Sequence, residues 1–151
     1  MKLLKIHRGF SLVEVTLALG IASFCLIAIL GLIPVGLNST QTAMEQTQAT
    51  NIISNIIADM KQKPVGSTDE VTSQRFGITV PAGPKLLYFK NGGTTTSQGD
   101  ARYKVKVTFT STSVHDDRKP ITGTIWVAWP AAAADGNEQG SVSTFFALDR
   151  N

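Results

Sequence analysis

Few residues in this 151-residue chain are of the types that carry out catalysis or bind metals. Histidine occurs twice, as His7 and His115, and cysteine occurs once, as Cys25. Two distant histidines are too few for a His-based metal site, and no serine lies in a recognisable nucleophile motif. One cysteine cannot form an intrachain disulfide, and its place in an apolar run suits a small buried side chain. We therefore expect no enzymatic activity and no cofactor.

Two segments collect oxygen-bearing side chains. Asp135, Asn137 and Glu138 lie in a Gly-flanked turn, and residues 115–117 (His-Asp-Asp) form a second polar cluster. A Ca²⁺ ion takes roughly six to eight oxygen ligands in one place, and neither segment supplies them alone. Asp, Asn and Gly are also the residues that ordinary turns require. The sequence therefore favours turn chemistry, with Ca²⁺ binding at Asp135, Asn137 and Glu138 as the alternative.

Glu14 is the one charged residue within a long apolar segment. The segment from Phe10 to Leu37 contains 20 apolar residues in 28, and no charged side chain occurs from Val15 to Met44. A carboxylate at the centre of a bilayer costs about 2.5–3.5 kcal/mol, and less near the interface. Glu14 therefore either lies at headgroup depth without a partner or pairs with a cation.

The apolar segment is long enough to cross a membrane. Val15 to Leu37 is 23 residues, which as a helix extends about 35 Å and exceeds a bilayer core of roughly 30 Å. Lys2, Lys5 and Arg8 lie only on its amino-terminal side. By the positive-inside rule, the amino terminus is cytoplasmic and the rest of the chain is extracytoplasmic.

Outside the first nine residues, 11 basic and 11 acidic residues balance, so no nucleic-acid partner is expected.

Three common signals compete for this segment: a cleaved secretory signal, a lipoprotein signal and a plain signal anchor. The apolar run exceeds the usual ~7–15 residues of a secretory signal, and residues 36–39 offer no A-x-A-like cleavage site. A lipoprotein signal needs a small residue before its cysteine, whereas Phe24 precedes Cys25. A plain anchor leaves Glu14 unexplained.

Residues 5–14 read Lys-Ile-His-Arg-Gly-Phe-Ser-Leu-Val-Glu. Together with the apolar run, this resembles the class III signal of type IV prepilins and type II secretion pseudopilins: a basic leader ending in Gly, then Phe, then Glu at the fifth position from the Phe. Residues 9–22 are also similar to the Leu-x-Glu-Val start of minor pseudopilins and of a prepilin-like group encoded in verrucomicrobial gene cassettes. The whole combination is specific, although no single part of it is.

The resemblance implies processing by a membrane-embedded prepilin peptidase. The peptidase would cut between Gly9 and Phe10 on the cytoplasmic side of a bacterial inner membrane, and the new Phe10 amine would be methylated. The hydrophobic stem, residues 10–37, would be retained and would first lie in membrane lipid as a single membrane-spanning helix. It would then associate with identical or related pilin subunits at an inner-membrane assembly platform, in a periplasmic or cell-surface filament.

The motif also has a physical rationale. Cleavage leaves a positive amine on Phe10, and Glu14 lies one helical turn away, or beside the amine of a neighbouring subunit shifted by one turn. In an apolar bundle each charge is costly alone and tolerable when paired. Glu14 could therefore set the register of assembly, because a subunit out of step would leave both charges unpaired.

The sequence departs from the family in the position of its proline. Gly31 stands where many type IV pilins carry Pro, and Pro34 follows three residues later. Because proline lacks an N–H and kinks helices, we expect a helix break between Gly31 and Gly36.

The remaining chain predicts a helix followed by strands. Apolar residues recur at spacings of three and four from Ala49 to Met60, and Lys61, Lys63 and Pro64 mark the end of the helix. A period of two then predicts five strands: Phe76–Val80, Lys85–Lys90, Arg102–Thr110, Ile121–Trp129 and Val142–Leu148. Tyr103, Val105, Val107 and Phe109 should face the helix, and Arg102, Lys104 and Lys106 should form a solvated outer face, or else contact an acidic partner.

These patterns define an α+β fold of pilin-like type, in which a long amino-terminal helix, half of it transmembrane, packs on an antiparallel sheet of four to five strands. The predicted segments are a leader (1–9), a transmembrane and assembly helix (10–37), an amphipathic distal helix (38–63) and an extracytoplasmic β domain (64–151). The expected function is a structural subunit of a type IV pilus-like or type II secretion-like filament. The alternative is a monomeric, signal-anchored extracytoplasmic binding domain.

Overall fold

The computed structural model describes residues 9–62, 70–81, 83–110 and 120–149. A long amino-terminal helix, α1, precedes six strands and one 3₁₀ turn at Gln98–Asp100, which confirms the α+β class. Helix α1 spans Leu12–Lys61, and the strands are β1 (Val71–Thr72), β2 (Thr79–Val80), β3 (Lys85–Phe89), β4 (Tyr103–Phe109), β5 (Ile121–Trp129) and β6 (Gly140–Leu148). The basic leader residues before Gly9 and the cluster at 115–117 lie outside the described residues.

Helix α1 continues through the segment where the sequence predicted a break. Its 50 residues include Gly31, Pro34 and Gly36, so the two predicted helices are one element. Pro34 removes one backbone donor from the helix interior, which commonly kinks or breaks a helix, but α1 is continuous from Leu12 to Lys61.

The chain divides within the helix into two compact units, Met1–Thr42 and Ala43–Asn151. In the first unit every described residue is exposed. The second unit contains the hydrophobic core, where the predicted helical stripe is confirmed: Ala49, Ile52, Ile53, Ile56 and Met60 are buried.

The main sheet is antiparallel, with the strand order β3-β4-β5-β6. The predicted alternation along β4 is confirmed, since Tyr103, Val105, Val107 and Phe109 are buried in the same core as the helical stripe. The predicted strand Phe76–Val80 was too long. Only Thr79–Val80 is a strand, and it pairs with β1 in a separate two-stranded sheet, because Phe76 lies in a turn that is completed by Gly77 at φ +61°.

Asp59 is a buried carboxylate that sequence analysis missed. It lies on the core side of α1 with 4% of its surface exposed, and its two oxygens accept hydrogen bonds from the backbone N–H groups of Arg75 and Phe76, both at 3.1 Å. The carboxylate thus holds the turn before β2 against the helix. Because Arg75 and Phe76 lie 16 and 17 residues beyond Asp59, no local pattern in the sequence indicates this contact.

We predict that Asp59→Ala destabilises the second unit by about 2–4 kcal/mol, because it leaves two N–H groups without their acceptor. Urea unfolding of the detergent-solubilised chain, followed by tryptophan fluorescence, measures this. The matched control is Asp100→Ala. It removes an exposed ion pair with Lys90 at 3.3 Å and should cost less than about 1 kcal/mol. Equal losses for the two variants would contradict the role of Asp59.

Candidate functional site

The bond between Gly9 and Phe10 lies in exposed, non-helical backbone. Both residues are exposed and precede the first residue of α1, Leu12. Phe10 is 83% exposed, and apart from the adjacent residues no atom of the described chain lies within 4 Å of the position that a Cβ at Gly9 would occupy. A peptidase active site could therefore reach this bond without unfolding a helix.

Glu14 lies in the first turn of α1. The backbone N–H groups of Glu14 and Val15 both donate to the Ser11 carbonyl, at 3.0 and 3.2 Å, and so close that turn. A carboxylate near a helix amino terminus gains about 0.3–1 kcal/mol from the helix dipole. This is smaller than the roughly 2.5–3.5 kcal/mol that the same group costs at the bilayer centre. The helix dipole alone therefore does not offset the cost of Glu14 at the bilayer centre, where the carboxylate would need a cation, whereas at headgroup depth it needs no partner.

The stem, residues 10–37, is apolar around its whole circumference. Its exposed large apolar residues include Leu12, Val13, Val15, Leu17, Leu19, Ile21, Phe24, Leu26, Ile27, Ile29, Leu30, Leu32, Ile33, Val35 and Leu37. Cys25, which we expected to be buried, is exposed among them. A helix that is apolar on all sides is either a membrane span or is covered by other protein. The helix is long and apolar enough to cross a membrane, and no residue of its most apolar window is buried.

Two hydroxyl groups of the stem, those of Thr16 and Ser23, have hydrogen-bond partners within the helix. The Thr16 hydroxyl donates to the Val13 carbonyl at 2.9 Å, and the Ser23 hydroxyl donates to the Leu19 carbonyl at 2.8 Å. Such bonds let hydroxyl groups enter an apolar environment at little cost. Of the stem residues, Glu14 is therefore the one whose free energy in an apolar environment would be lowered most by a nearby positive charge.

The predicted solvated basic face on β4 was wrong at Lys104. Lys104 is 8% exposed, because the loop between β5 and β6 folds over it. Its ammonium donates to Asp135 Oδ1 at 2.6 Å and to the Ala133 carbonyl at 3.2 Å, and it lies 3.8 Å from Glu138 Oε1. The sequence pattern assigned Lys104 to the outer face correctly but contained no sign that a loop would cover that face.

Two of the three candidate Ca²⁺ ligands, Asp135 and Glu138, thus face the Lys104 ammonium group. Asp135 and Glu138 both contact Lys104, and the hydrogen bond from Lys104 lowers the pKa of the Asp135 carboxyl. Glu138 Oε2 accepts the Gly136 N–H at 2.8 Å, and the Asn137 N–H donates to the Ala134 carbonyl at 3.0 Å. The described residues contain no group of three or more His, Cys, Asp or Glu side chains placed to hold a metal ion.

Arg102, which belongs to the predicted outer face of β4, and Trp126 on the neighbouring strand β5 also have partners that the sequence did not reveal. Arg102 forms an ion pair with Glu45 of α1. Trp126 lies beneath the Lys104 ammonium, 5.4 Å from the ring centroid, whereas Trp129 is buried in edge-to-face contact with Tyr103. The two tryptophans therefore lie on opposite faces of β5. Burial is the main cause of the raised pKa of Tyr103.

No protein-family model, curated protein or solved structure matches this chain.

Proposed function

We propose that the chain is the precursor of a filament subunit of the type IV pilin or type II secretion pseudopilin kind, and that it has no enzymatic activity. The observation that carries the proposal is the sequence of features at the amino terminus. An accessible Gly9–Phe10 bond is followed within one turn by Glu14 and then by a stem that is apolar on every side.

Each feature has a separate role. The peptidase cuts after Gly9 and removes the basic leader, which otherwise holds the amino terminus in the cytoplasm. The new Phe10 amine, which is then methylated, carries a positive charge at a helix amino terminus, where the helix dipole disfavours a cation. Glu14 offsets this charge, either in its own chain or in a neighbouring subunit.

The stem provides the driving force for assembly. Once the stems leave the bilayer, their apolar surface must be covered, and neighbouring stems cover it. Lateral association through one repeated contact is heterologous and builds a helical filament. The second unit has a hydrophobic core of its own, to which the first unit contributes no residue.

The competing proposal is a monomeric binding domain held by an uncleaved anchor. The two are separated by producing the chain in a bacterial host with and without a prepilin peptidase and its assembly platform. The filament proposal predicts that the chain enters a sheared, filamentous fraction visible by electron microscopy only when both are present. An anchored monomer that stays in the membrane fraction under both conditions would contradict it.

A further inference from the structure

Strand β6 forms one edge of the main sheet, and no strand lies beyond it among the described residues. The strand is nine residues long, Gly140–Leu148, and contains neither proline nor a charged side chain. Soluble proteins normally protect such edges with charges, proline, bulges or a covering segment, because free N–H and C=O groups pair readily with another strand.

The opposite edge, β3, has this protection. Pro84 precedes the strand, and Lys85 and Lys90 stand at its ends. Residues 94–96 also run along its free side, where the Thr96 N–H donates to the Tyr88 carbonyl at 2.9 Å and the Lys90 N–H donates to the Thr94 carbonyl at 3.0 Å. One edge of the sheet is therefore covered, whereas β6 has none of these devices among the described residues.

The register shows which groups of β6 are available. The Thr110 N–H donates to the Thr122 carbonyl at 2.8 Å. The even-numbered residues of β5 therefore form their backbone hydrogen bonds with β4, and its odd-numbered residues form theirs with β6. These odd-numbered residues of β5 pair with the even-numbered residues of β6. Ser141, Ser143, Phe145 and Ala147 consequently direct their N–H and C=O groups away from the sheet, and all four side chains are exposed.

We propose that β6 pairs with the β6 strand of a second copy of this chain, in antiparallel orientation about a two-fold axis at Thr144. In this register Ser141 lies opposite Ala147 and Ser143 lies opposite Phe145, so every outward N–H and C=O of the four residues has a partner. The two four-stranded sheets then form one continuous sheet.

A second copy fits this edge because the strand is self-complementary. Neither strand carries a charge, so two copies meet without repulsion. Phe145 is 83% exposed. In the proposed register the two Phe145 side chains are diagonal neighbours on one face, about 7–8 Å apart, a distance that aromatic rings can bridge. The pairing thus covers the most exposed aromatic side chain of the second unit.

A two-fold axis perpendicular to the sheet reverses the direction of the helical residues 43–61, which pack on its inner face. The pairing does not depend on the proposed function.

Disulfide formation in the full-length chain tests the pairing of the two β6 strands under conditions in which no filament assembles. The chain carries Cys25→Ser, is produced without a prepilin peptidase and is oxidised in detergent. Thr144→Cys places two cysteines opposite each other across the axis, in a non-hydrogen-bonded pair with close Cβ atoms. Ser141→Cys is the matched control, because its equivalents lie about 20 Å apart in this register.

We expect a disulfide-linked dimer with Thr144→Cys, little with Ser141→Cys, and a roughly tenfold lower dimer yield when Phe145→Lys is added to Thr144→Cys. The Phe145 side chain is exposed, so its replacement leaves the core unchanged. A monomeric Thr144→Cys chain, equal cross-linking at the two positions, or a yield unaffected by Phe145→Lys would overturn the proposal. Such results would leave the filament proposal standing, since that depends on the stem.

Discussion

Replacing Gly9 with leucine is expected to block removal of the leader and, with it, filament formation. A peptidase that cuts after a residue without a side chain must bring its catalytic groups close to the backbone, and a branched side chain displaces the bond from them. A displacement of about 1 Å can lower the rate of such a reaction roughly a hundredfold. The precursor should accumulate at its full length in the membrane fraction, as measured by gel mobility and intact mass.

Misfolding does not account for this expected loss. Apart from the adjacent residues, the Cβ of a residue at position 9 would meet no atom of the described chain within 4 Å, so the substitution affects recognition and not packing. Gly20→Ala is the control, because Gly20 lies in the stem, outside the leader, and a Cβ added there would likewise have open surroundings. This variant should be processed like the wild type. Normal processing and assembly of Gly9→Leu would favour the anchored-monomer alternative.

Replacing Glu14 with glutamine is expected to leave membrane insertion and cleavage intact but to abolish assembly. The amide keeps the size of the side chain and loses its charge, so the Phe10 amine has no counterion in the bundle. Breaking a buried ion pair by removing one partner typically costs about 3–5 kcal/mol. A loss of about 3 kcal/mol corresponds to a more than hundredfold lower equilibrium constant for each subunit added. Quantifying the chain in the sheared and membrane fractions measures this effect.

Thr16→Val provides the control for polarity in the same turn. The Thr16 hydroxyl bonds to its own helix at the Val13 carbonyl, so its loss removes no contact between subunits, and assembly should be retained. If Glu14→Gln assembles as well as Thr16→Val, then Glu14 lies at headgroup depth and does not set the register.

The periodic parts of the fold were predictable because burial imposes their period. The stripe from Ala49 to Met60 and the alternation from Tyr103 to Phe109 were both visible in the sequence, since each element buries one face in the core. The β5 boundaries, Ile121–Trp129, were predicted correctly. The hydrophobic character of the stem followed from composition alone.

The misses arose where long-range contacts override local signals. Asp59 has the sequence character of an exposed helix residue, and only the turn at Arg75 and Phe76 makes its burial favourable. Lys104 was assigned to solvent because the loop that carries Asp135 and Glu138 is distant in sequence. The break predicted at Pro34 is a separate case, since α1 continues through it although the residues around it are exposed and no long-range contact supports them.

At the candidate site, sequence analysis identified Gly9, Phe10 and Glu14 by type and spacing. The structure adds that the Gly9–Phe10 bond is exposed and that Glu14 lies in the first helical turn.

The central claim is tested most directly by the mass of the native chain's amino-terminal peptide, isolated from cells that contain the peptidase. The account predicts a chain that begins at Phe10, carries one added methyl group on the Phe10 amine and retains the whole stem through Leu37. A native chain that still begins at Met1, or one that has been cut beyond the stem, would contradict it.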